Sequence, residues 1–266
     1  MIEEKKYPLG VALSGGGSKG FAHLGVFEAL DELGIKPDVI AGTSAGALAG
    51  VLYADGHSPR DIVDIFQDKE FRDFAAFSIP QGGLFKSGKF HSFLKNHLRA
   101  RNFEDLHIPL KVVATDIEHG VSTVFDSGPL IPVILASCAY PVVFTPVEID
   151  GRHYVDGGVF KNFPVSVIRS DCEKVIGVNV SPLTVQKFKN SLLYVVERSF
   201  HYMSLANTLE DKLMCDVLIE STKVSKFATF TLDHVQEIFD IGYKVAIRKL
   251  KKENLPIVAE ELKSDL

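Results

Sequence analysis

Short, continuous apolar runs alternate along the chain with stretches in which apolar residues recur at helical spacing. The apolar runs are rich in β-branched residues and predict buried strands at residues 9–13, 39–41, 110–114 and 174–180. A helix is predicted at about residues 19–33, with Gly34 as its stop. Strands without polar alternation are buried on both faces, so the pattern predicts an α/β three-layer sandwich with a mainly parallel central sheet.

The rest of the chain extends this pattern without a break. Residues 148–149 and 152–155 flank the pair Asp150-Gly151, which predicts a β-hairpin with a type I′ turn. Residues 191–209 and 233–251 are predicted to form amphipathic helices of the outer layers. The sequence contains no internal repeat or linker-like stretch, so we expect residues 1–266 to form a single domain.

Composition narrows the class of protein. The net charge of −5 gives no reason to expect nucleic-acid binding. Cys138, Cys172 and Cys215 are widely spaced, which indicates neither a disulfide framework nor a zinc site and favours a cytoplasmic location. The first six residues lack the apolar core of a signal peptide. Three prolines interrupt the most apolar stretch, residues 129–147, so we do not predict a membrane span there.

A serine stands at a predicted strand-to-helix turn. Ser44 follows the strand 39–41 and lies between Gly42 and Gly46, directly before a helical stretch. So tight a turn favours neighbours without a Cβ atom, and it projects the serine hydroxyl at a helix N-terminus. Ser44 is therefore the candidate nucleophile, and Gly42 and Gly46 are the glycines of the turn.

A glycine-rich loop, residues 14–20, follows the first strand. Its spacing also satisfies the GxGxxG dinucleotide fingerprint, but the candidate ribose-binding acid, Asp38, precedes the second strand instead of ending it. A P-loop does not fit either, because Lys19 precedes Gly20. Consecutive glycines at a helix N-terminus expose backbone N–H groups, which suits an oxyanion hole. The candidate oxyanion-binding residues are Gly15, Gly16, Gly17, Lys19 and Gly20.

A serine nucleophile needs a proton acceptor, and a carboxylate is the better placed candidate. Asp156 ends the second hairpin strand and is followed by Gly157 and Gly158, which permit a sharp turn. Asp116, at the end of another strand, is a reserve candidate. His201 and His234 would satisfy the chain order Ser–Asp–His of an α/β-hydrolase, so a histidine base stays an open alternative.

Three motifs carry a family resemblance. Residues 15–20, 42–46 and 156–158 resemble, in this order, the three motifs of patatin-like phospholipases. Residues 114–116, 136–141 and 144–146 also resemble blocks of bacterial members. The resemblance extends from about residue 7 to residue 182, which would form the motif-bearing core of a patatin-like domain, with residues 183–266 completing it.

The resemblance implies a lipid acyl hydrolase of the carboxylic ester hydrolase class, with a Ser–Asp dyad and an acyl-serine intermediate. Ser44 would be the nucleophile, Asp156 the proton acceptor, and Gly16 and Gly17 the leading oxyanion donors. Lys19 fits the basic residue of the family's glycine motif. The expected substrate is a phospholipid or another acyl ester, with no metal or other cofactor and no nucleic-acid partner.

Phenylalanines and basic residues cluster in the middle of the chain. Eight of the nineteen phenylalanines fall between Phe66 and Phe103, and residues 85–101 carry five basic residues without an acid. This segment is either a helix that packs its phenylalanines inward beneath a solvated basic face, which we favour, or a peripheral contact with the inner membrane face. The eight phenylalanines are Phe66, Phe71, Phe74, Phe77, Phe85, Phe90, Phe93 and Phe103.

Three interpretations of the whole protein compete with the serine acyl hydrolase. The first is an α/β-hydrolase that uses a histidine. The second is a regulatory or scaffold protein that retains the fold with little catalytic activity. An NAD-binding enzyme is the weakest, because the acid that would bind the ribose is missing where the fingerprint needs it.

Overall fold

The computed structural model describes residues 5–67, 69–70, 73–74, 76–77, 85–203 and 205–252. Phe71 and the side chains of Phe77, Phe85 and Lys86, all named in the predicted aromatic and basic segment, lie outside this description. The strands are β1 (Tyr7–Leu13), β2 (Val39–Thr43), β3 (Ala76–Phe77), β4 (Phe85–Lys86), β5 (Leu110–Asp116), β6 (Val121–Phe125), β7 (Val147–Ile149), β8 (Arg152–Asp156), β9 (Cys172–Asn179) and β10 (Val217–Glu220). The α-helices are α1 (Phe21–Glu32), α2 (Ala45–Ala54), α3 (Pro59–Phe66), α4 (Gly88–His97), α5 (Leu130–Ser137), α6 (Ser166–Arg169), α7 (Leu192–Met203), α8 (Leu205–Leu213) and α9 (Val235–Leu250).

The central sheet has the strand order β10-β9-β1-β2-β5-β8-β7, and β6 pairs with the remaining edge of β5. The strands β10, β9, β1, β2 and β5 are parallel to one another, whereas β6, β8 and β7 pair in the antiparallel sense. The predicted α/β fold with a mainly parallel sheet is therefore confirmed. Apolar runs without alternation form these parallel strands because helices cover both faces.

Two layers of different thickness cover the sheet. Strand β1 shows the division: Leu9, Val11 and Leu13 join the larger core cluster, which also contains the buried faces of α1, α2, α3, α5 and α9. Ala12 faces the other way, into a smaller cluster formed by residues 163–175 around α6. The carboxyl ends of β1 and β2 open between these layers, which is where ligands bind in sheets of this type.

Most predicted elements form, with small differences at their ends. The hairpin of β7 and β8 has Asp150 and Gly151 at φ of 50° and 76°, as a type I′ turn requires. A short 3₁₀ turn, Gly17–Gly20, precedes α1, so the α-helix begins two residues later than predicted. The helix predicted at residues 191–209 corresponds to the helical ranges of α7 and α8, which lie on either side of residue 204, a position outside the described ranges.

The aromatic residues of the middle segment pack into the core. Phe66, Phe74, Phe90 and Phe93 are buried and contact one another edge-on or tilted, with ring centroids 4.9–6.3 Å apart. Lys89 and Lys95, on the other side of α4, are exposed. This agrees with the predicted inward packing of the phenylalanines.

No helix in the described ranges combines the length and the apolar character needed to cross a membrane. The apolar stretch 129–147 forms the eight-residue helix α5 followed by turns.

Candidate active site

Ser44 occupies a strained turn between β2 and α2. Its φ and ψ of 52° and −120° are unfavourable for a residue with a Cβ atom, and such strain concentrates at functional sites. Gly46 makes the turn possible, because a Cβ atom there would lie 2.4 Å from the carbonyl oxygen of Leu13. The Ser44 amide donates to Ser137 Oγ at 2.8 Å, and that hydroxyl donates to the Val113 carbonyl at 2.7 Å. Ser137 thus links the strained backbone of Ser44 to the neighbouring strand β5.

The pairing of β5 brings Asp156 to Ser44. Strand β2 pairs with Leu110–Val113, ending at Thr43 opposite Val113, and β8 continues along the same edge with Asp156 opposite Ala114. Ser44, which follows Thr43, and Asp156, the last residue of β8, therefore lie close together. Both side chains line the same cavity, and hydrogen bonding with the Ser44 hydroxyl lowers the pKa of the Asp156 carboxyl. The structure brings the predicted nucleophile and the predicted proton acceptor together.

Asp156 is buried, which governs its charge. Removal of the carboxylate from water raises the pKa of Asp156 to about 7, although hydrogen bonds with Ser44 and from the Gly158 amide act in the opposite direction. Burial and the nearby charge of Asp156 raise the pKa of the Cys138 thiol, and hydrogen bonding with Ser44 offsets part of this increase. Asp156 can therefore exchange a proton near neutral pH.

The glycine loop presents its amides unequally. The Gly15 amide donates to the Asn162 carbonyl at 2.9 Å and the Ser18 amide to the Thr229 carbonyl at 2.9 Å, so both are occupied. Within the described ranges, no protein group accepts from the amides of Gly16 and Gly17. Gly17 has a φ of 57°, and a Cβ atom on it would lie 2.4 Å from the Thr229 carbonyl. The loop therefore offers two N–H groups to a ligand.

The remaining motif glycines lie where backbones approach one another. Cβ atoms at these positions would come within 2.8 Å of a neighbouring atom. Gly20 lies against Ala45, Gly42 against Ala47, Gly157 against the carbonyl of Val113, and Gly158 against the side chain of Asn162.

Lys19 faces the same space as Ser44. Its ammonium group donates to Thr229 Oγ1 at 3.2 Å and lies 4.0 Å from a carboxylate oxygen of Glu197. Burial lowers the pKa of Lys19, and the nearby Glu197 partly offsets this effect. Thr229 in turn donates to Glu197, which links the glycine loop to α7.

A single cavity contains these groups. Ser44, Asp156, Gly16, Gly17 and Lys19 line it at one end. One wall is apolar and comes from α1, α2, α3, α4 and Phe74, which lies between α3 and α4 in the sequence. This wall includes Leu24, Leu48, Leu52, Ile62, Phe66, Phe74 and Phe90.

Several cavity residues were assigned no role from the sequence. Tyr140 lies in the segment 136–141, whose resemblance to the family was noted, and its buried hydroxyl has no hydrogen-bond partner within the described ranges. Glu197 and Phe200 come from α7, which was predicted only as outer-layer packing. The sequence signal for Glu197 and Phe200 was the amphipathic pattern of that helix, which predicts that one of its sides is buried.

The histidines differ in position. His201 lines the cavity, and burial lowers its pKa, an effect that hydrogen bonding with the Ser181 backbone partly offsets; the predicted proton acceptor beside Ser44 is Asp156. His234 is half exposed at the start of α9, with Nδ1 3.6 Å from Glu237. His23 is fully buried and donates from Nε2 to the Ser14 carbonyl; burial lowers its pKa to about 4, which keeps the ring neutral beneath the glycine loop.

Two acidic candidates have structural roles. Asp116 accepts from the amides of Glu118 and His119 at 3.0 Å and so closes the turn before β6. With these two residues it forms a group whose potential ligand atoms lie within 4.8 Å, but Arg152 approaches Asp116 to 3.6 Å and neutralises part of the charge. The Asp38 carboxylate accepts from the Leu9 amide at 2.8 Å, a contact between neighbouring strands. Asp38 therefore does not serve as the ribose-binding acid that a dinucleotide-binding site would need.

Fold and site together define an α/β protein with a serine beside a buried aspartate, next to the carboxyl end of the parallel strand β2. The chain belongs to the patatin-like phospholipase family, whose model matches residues 11–168. An uncharacterized NTE family protein of Mycobacterium bovis is 34% identical over 169 residues, which cover 59% of this chain and 44% of that protein. Lysophospholipase NTE1 of Candida glabrata is 26% identical over 92% of this chain and 16% of its own length. The chain thus spans less than half the length of the curated relatives it matches.

A solved structure supports the fold. VipD from Legionella pneumophila superposes with a TM-score of 0.53 at 16% sequence identity, covering 93% of this chain and 67% of its own. Because the likeness extends over residues beyond 168, the elements after the family match belong to the same architecture.

Proposed function

We propose that the protein is a serine acyl hydrolase that cleaves lipid carboxylic esters. The observation that carries the proposal is the placement of Ser44 beside a buried Asp156, whose pKa it influences through hydrogen bonding, and beside two free amides, in a cavity with an extended apolar wall. Membership of the patatin-like phospholipase family supports lipid acyl ester hydrolysis, and a relative named as a lysophospholipase makes a phospholipid or lysophospholipid the first substrate class to test.

The reaction would run in two half-reactions. Ser44 Oγ attacks the ester carbonyl carbon while its proton passes to the Asp156 carboxylate, and the amides of Gly16 and Gly17 hold the resulting oxyanion. Collapse of the tetrahedral intermediate expels the alcohol, which takes the proton from Asp156 and leaves acyl-Ser44. Water then attacks the acyl group, giving one proton to Asp156, and the departing Ser44 oxygen recovers that proton as the fatty acid is released.

The environment of Asp156 supports this role. A carboxylate with its ordinary pKa is a weak base, whereas the raised pKa of Asp156, about 7, matches proton transfer at neutral pH. The apolar wall of the cavity suits an acyl chain, and the free thiols of Cys138, Cys172 and Cys215 are consistent with action in the cytoplasm. We assign the chemistry to these residues without a metal ion.

The decisive experiment is hydrolysis of a chain-length series of p-nitrophenyl esters. We expect turnover by the wild type, a loss of at least about 10³-fold in Ser44→Ala and of about 10²–10⁴-fold in Asp156→Asn. Ser92→Ala, which removes an exposed serine hydroxyl from α4, is the matched control and should keep the full rate. Full turnover by folded Ser44→Ala would refute the proposal.

The position of His201 in the cavity keeps the histidine mechanism as the second candidate. His201→Ala and Asp156→Asn should then be compared in the same assay. A loss in His201→Ala as large as that in Ser44→Ala, with Asp156→Asn little affected, would favour it. An inert wild type whose Ser44 also fails to react with a fluorophosphonate would instead favour a regulatory or scaffold protein.

A further inference from the structure

Exposed apolar side chains concentrate on one part of the surface, residues 185–203. Large apolar residues are rarely so exposed in a contiguous group on a soluble protein, and such patches mark interaction sites. Val185 is fully exposed, and Phe188 and Leu192 are 73% and 76% exposed. Val195, Tyr202 and Met203 continue the exposed group along α7. We call these six residues the α7 face.

Helix α7 has two different sides. Leu192, Val195 and Tyr202 recur at intervals that place them on one stripe of a helix about 18 Å long. On an adjacent stripe, Val196 and Phe200 pack against the cluster that contains Tyr140 and Phe144, and Phe200 lines the catalytic cavity. The helix that carries the α7 face therefore also forms part of the cavity wall.

The charges around the α7 face are basic. Residues 174–196 contain no acidic residue, and Lys187 and Lys189 are exposed on either side of Phe188. Arg198 lies over the Tyr202 ring, 4.7 Å from its centre. Glu197, the acidic residue of α7, lies in the cavity with its carboxylate near Lys19. Apolar and aromatic side chains next to lysines are typical of segments that lie in the interface of an anionic membrane.

The four phenylalanines of the middle segment do not offer an equivalent surface. Phe66, Phe74, Phe90 and Phe93 are buried against one another, so their apolar area is already used in the core. The exposed apolar area next to the cavity comes instead from residues 185–203.

We propose that the α7 face docks on an anionic lipid surface and so brings the wall of the catalytic cavity against the membrane that holds the substrate. The choice of a lipid over a protein occupant rests on the basic flanks and on the fact that the same helix, α7, supplies Phe200 to the cavity. The proposal builds on the proposed function, because a lipid ester must leave a bilayer to reach Ser44.

Co-sedimentation with vesicles tests this directly. Vesicles of equal parts phosphatidylcholine and phosphatidylglycerol should bind the wild type, and Leu192→Ser/Val195→Ser should weaken binding at least about tenfold through lost apolar burial. Lys187→Glu/Lys189→Glu should weaken binding to these vesicles and leave binding to pure phosphatidylcholine unchanged. The matched control, Ile117→Ser/Val121→Ser, removes two apolar side chains of 54% and 47% exposure from the β5–β6 region and should bind as the wild type does.

A soluble short-chain ester separates this proposal from the catalytic one. Leu192→Ser/Val195→Ser should hydrolyse that ester at the wild-type rate, because neither residue lines the cavity. An enzyme inactive on the ester that still binds vesicles through Leu192 and Val195 would refute the proposed function and keep the docking surface. Three results would overturn the docking surface: wild type that does not bind anionic vesicles, equal loss in the control variant, or a concentration-dependent dimer that Leu192→Ser/Val195→Ser abolishes.

Discussion

At the scale of single residues, the site depends on a carboxylate in an environment that disfavours its charged form. Asp156 is 2% exposed, and among the groups around it only hydrogen-bond donors from Ser44 and the Gly158 amide favour its charged form. No ion pair is formed by Asp156 in the described ranges. Its ionisation therefore costs free energy, which raises its pKa towards neutrality, as the proposed role of Asp156 as a base requires.

The first prediction concerns the pH dependence of the rate. If Asp156 must be ionised to accept the Ser44 proton, kcat/KM for a short-chain ester should rise about tenfold per pH unit below pH 7 and level off above it. A stopped assay with product quantified by chromatography measures this without interference from the ionisation of the leaving group. Thermal unfolding at each pH is the control for folding. A rate that stays flat from pH 5 to pH 8 would contradict the role of Asp156.

The second prediction concerns stability at the same residue. The pKa of Asp156 is about 7 in the folded protein against 3.8 for an ordinary aspartate, so the folded state binds the proton more tightly. The resulting stabilisation is full below pH 3.8 and is lost as the pH rises through 7. Asp156→Asn does not ionise, and it should therefore exceed the wild type in free energy of unfolding at pH 8 by up to about 4 kcal/mol.

Chemical denaturation at pH 8 and pH 4 measures this difference. The gain should disappear at pH 4, where the wild-type carboxyl is protonated and resembles the amide. A variant that is less stable than the wild type at both pH values would show that Asp156 is not held in its charged form against a desolvation cost.

At the scale of elements, α1 and α9 form an unusually close crossing on the thicker side of the sheet. A Cβ atom on Gly25 would lie 2.1 Å from the carbonyl of Phe239, and one on Gly242 would lie 2.1 Å from the carbonyl of Ala22. The two backbones approach so closely that neither position has room for a methyl group. This crossing matters for the site, because α1 begins directly after the glycine loop.

The third prediction follows from that crossing. Gly242→Ala should destabilise the protein by about 2–3 kcal/mol, lowering its melting temperature by roughly 5–10 °C, because the helices must separate. Gly88→Ala is the matched control in α4, where no heavy atom lies within 4 Å of the added methyl group. That control should change stability by no more than about 0.5 kcal/mol. Differential scanning calorimetry compares the two, and equal effects would refute the crossing as the cause.

Elements were predictable from the sequence where local pattern determines them. The apolar runs at β1 and β2, the Asp150-Gly151 turn and the amphipathic repeat of α9 each specify their own structure. Ser44 and Asp156 were identifiable because glycines mark both turns. The position of α7 was not predictable from the sequence. An amphipathic pattern indicates that one side of a helix is buried, but it does not indicate which part of the protein covers that side. The sequence therefore did not predict that Glu197 and Phe200 line the cavity.

At the scale of the whole molecule, the family match ends well before the fold does. It covers residues 11–168, whereas Ile238 and Phe239 of α9 belong to the main core, and β10 completes one edge of the sheet. Buried Asp211 of α8 accepts from the Ser166 amide and pairs with Lys161 at 2.9 Å, which ties α8 to the loop after Asp156. The later residues are therefore structural partners of the motif-bearing ones.

The fourth prediction tests this dependence. A chain shortened to residues 1–182 would expose the side of α1 that α9 covers and would lose Glu197, Phe200 and Thr229 from the cavity. We expect it to aggregate or to lose cooperative unfolding, measured by circular dichroism against the full chain. A shortened chain that unfolds cooperatively and hydrolyses esters would contradict the prediction that residues 1–266 form one domain.

The tandem pairing of β2 and β8 on one edge of β5 has a consequence for how this protein could diversify. The spacing between Ser44 and Asp156 is fixed by backbone pairing at Val113 and Ala114, and the helices α3 and α4 take no part in that pairing. Those helices nevertheless supply Ile62, Phe66 and Phe90 to the apolar wall. The residues of the proposed chemistry and those of the apolar wall thus come from separate stretches of the chain. If the proposed function holds, exchanging residues 59–98 between homologues should transfer a chain-length preference and leave the reaction itself intact.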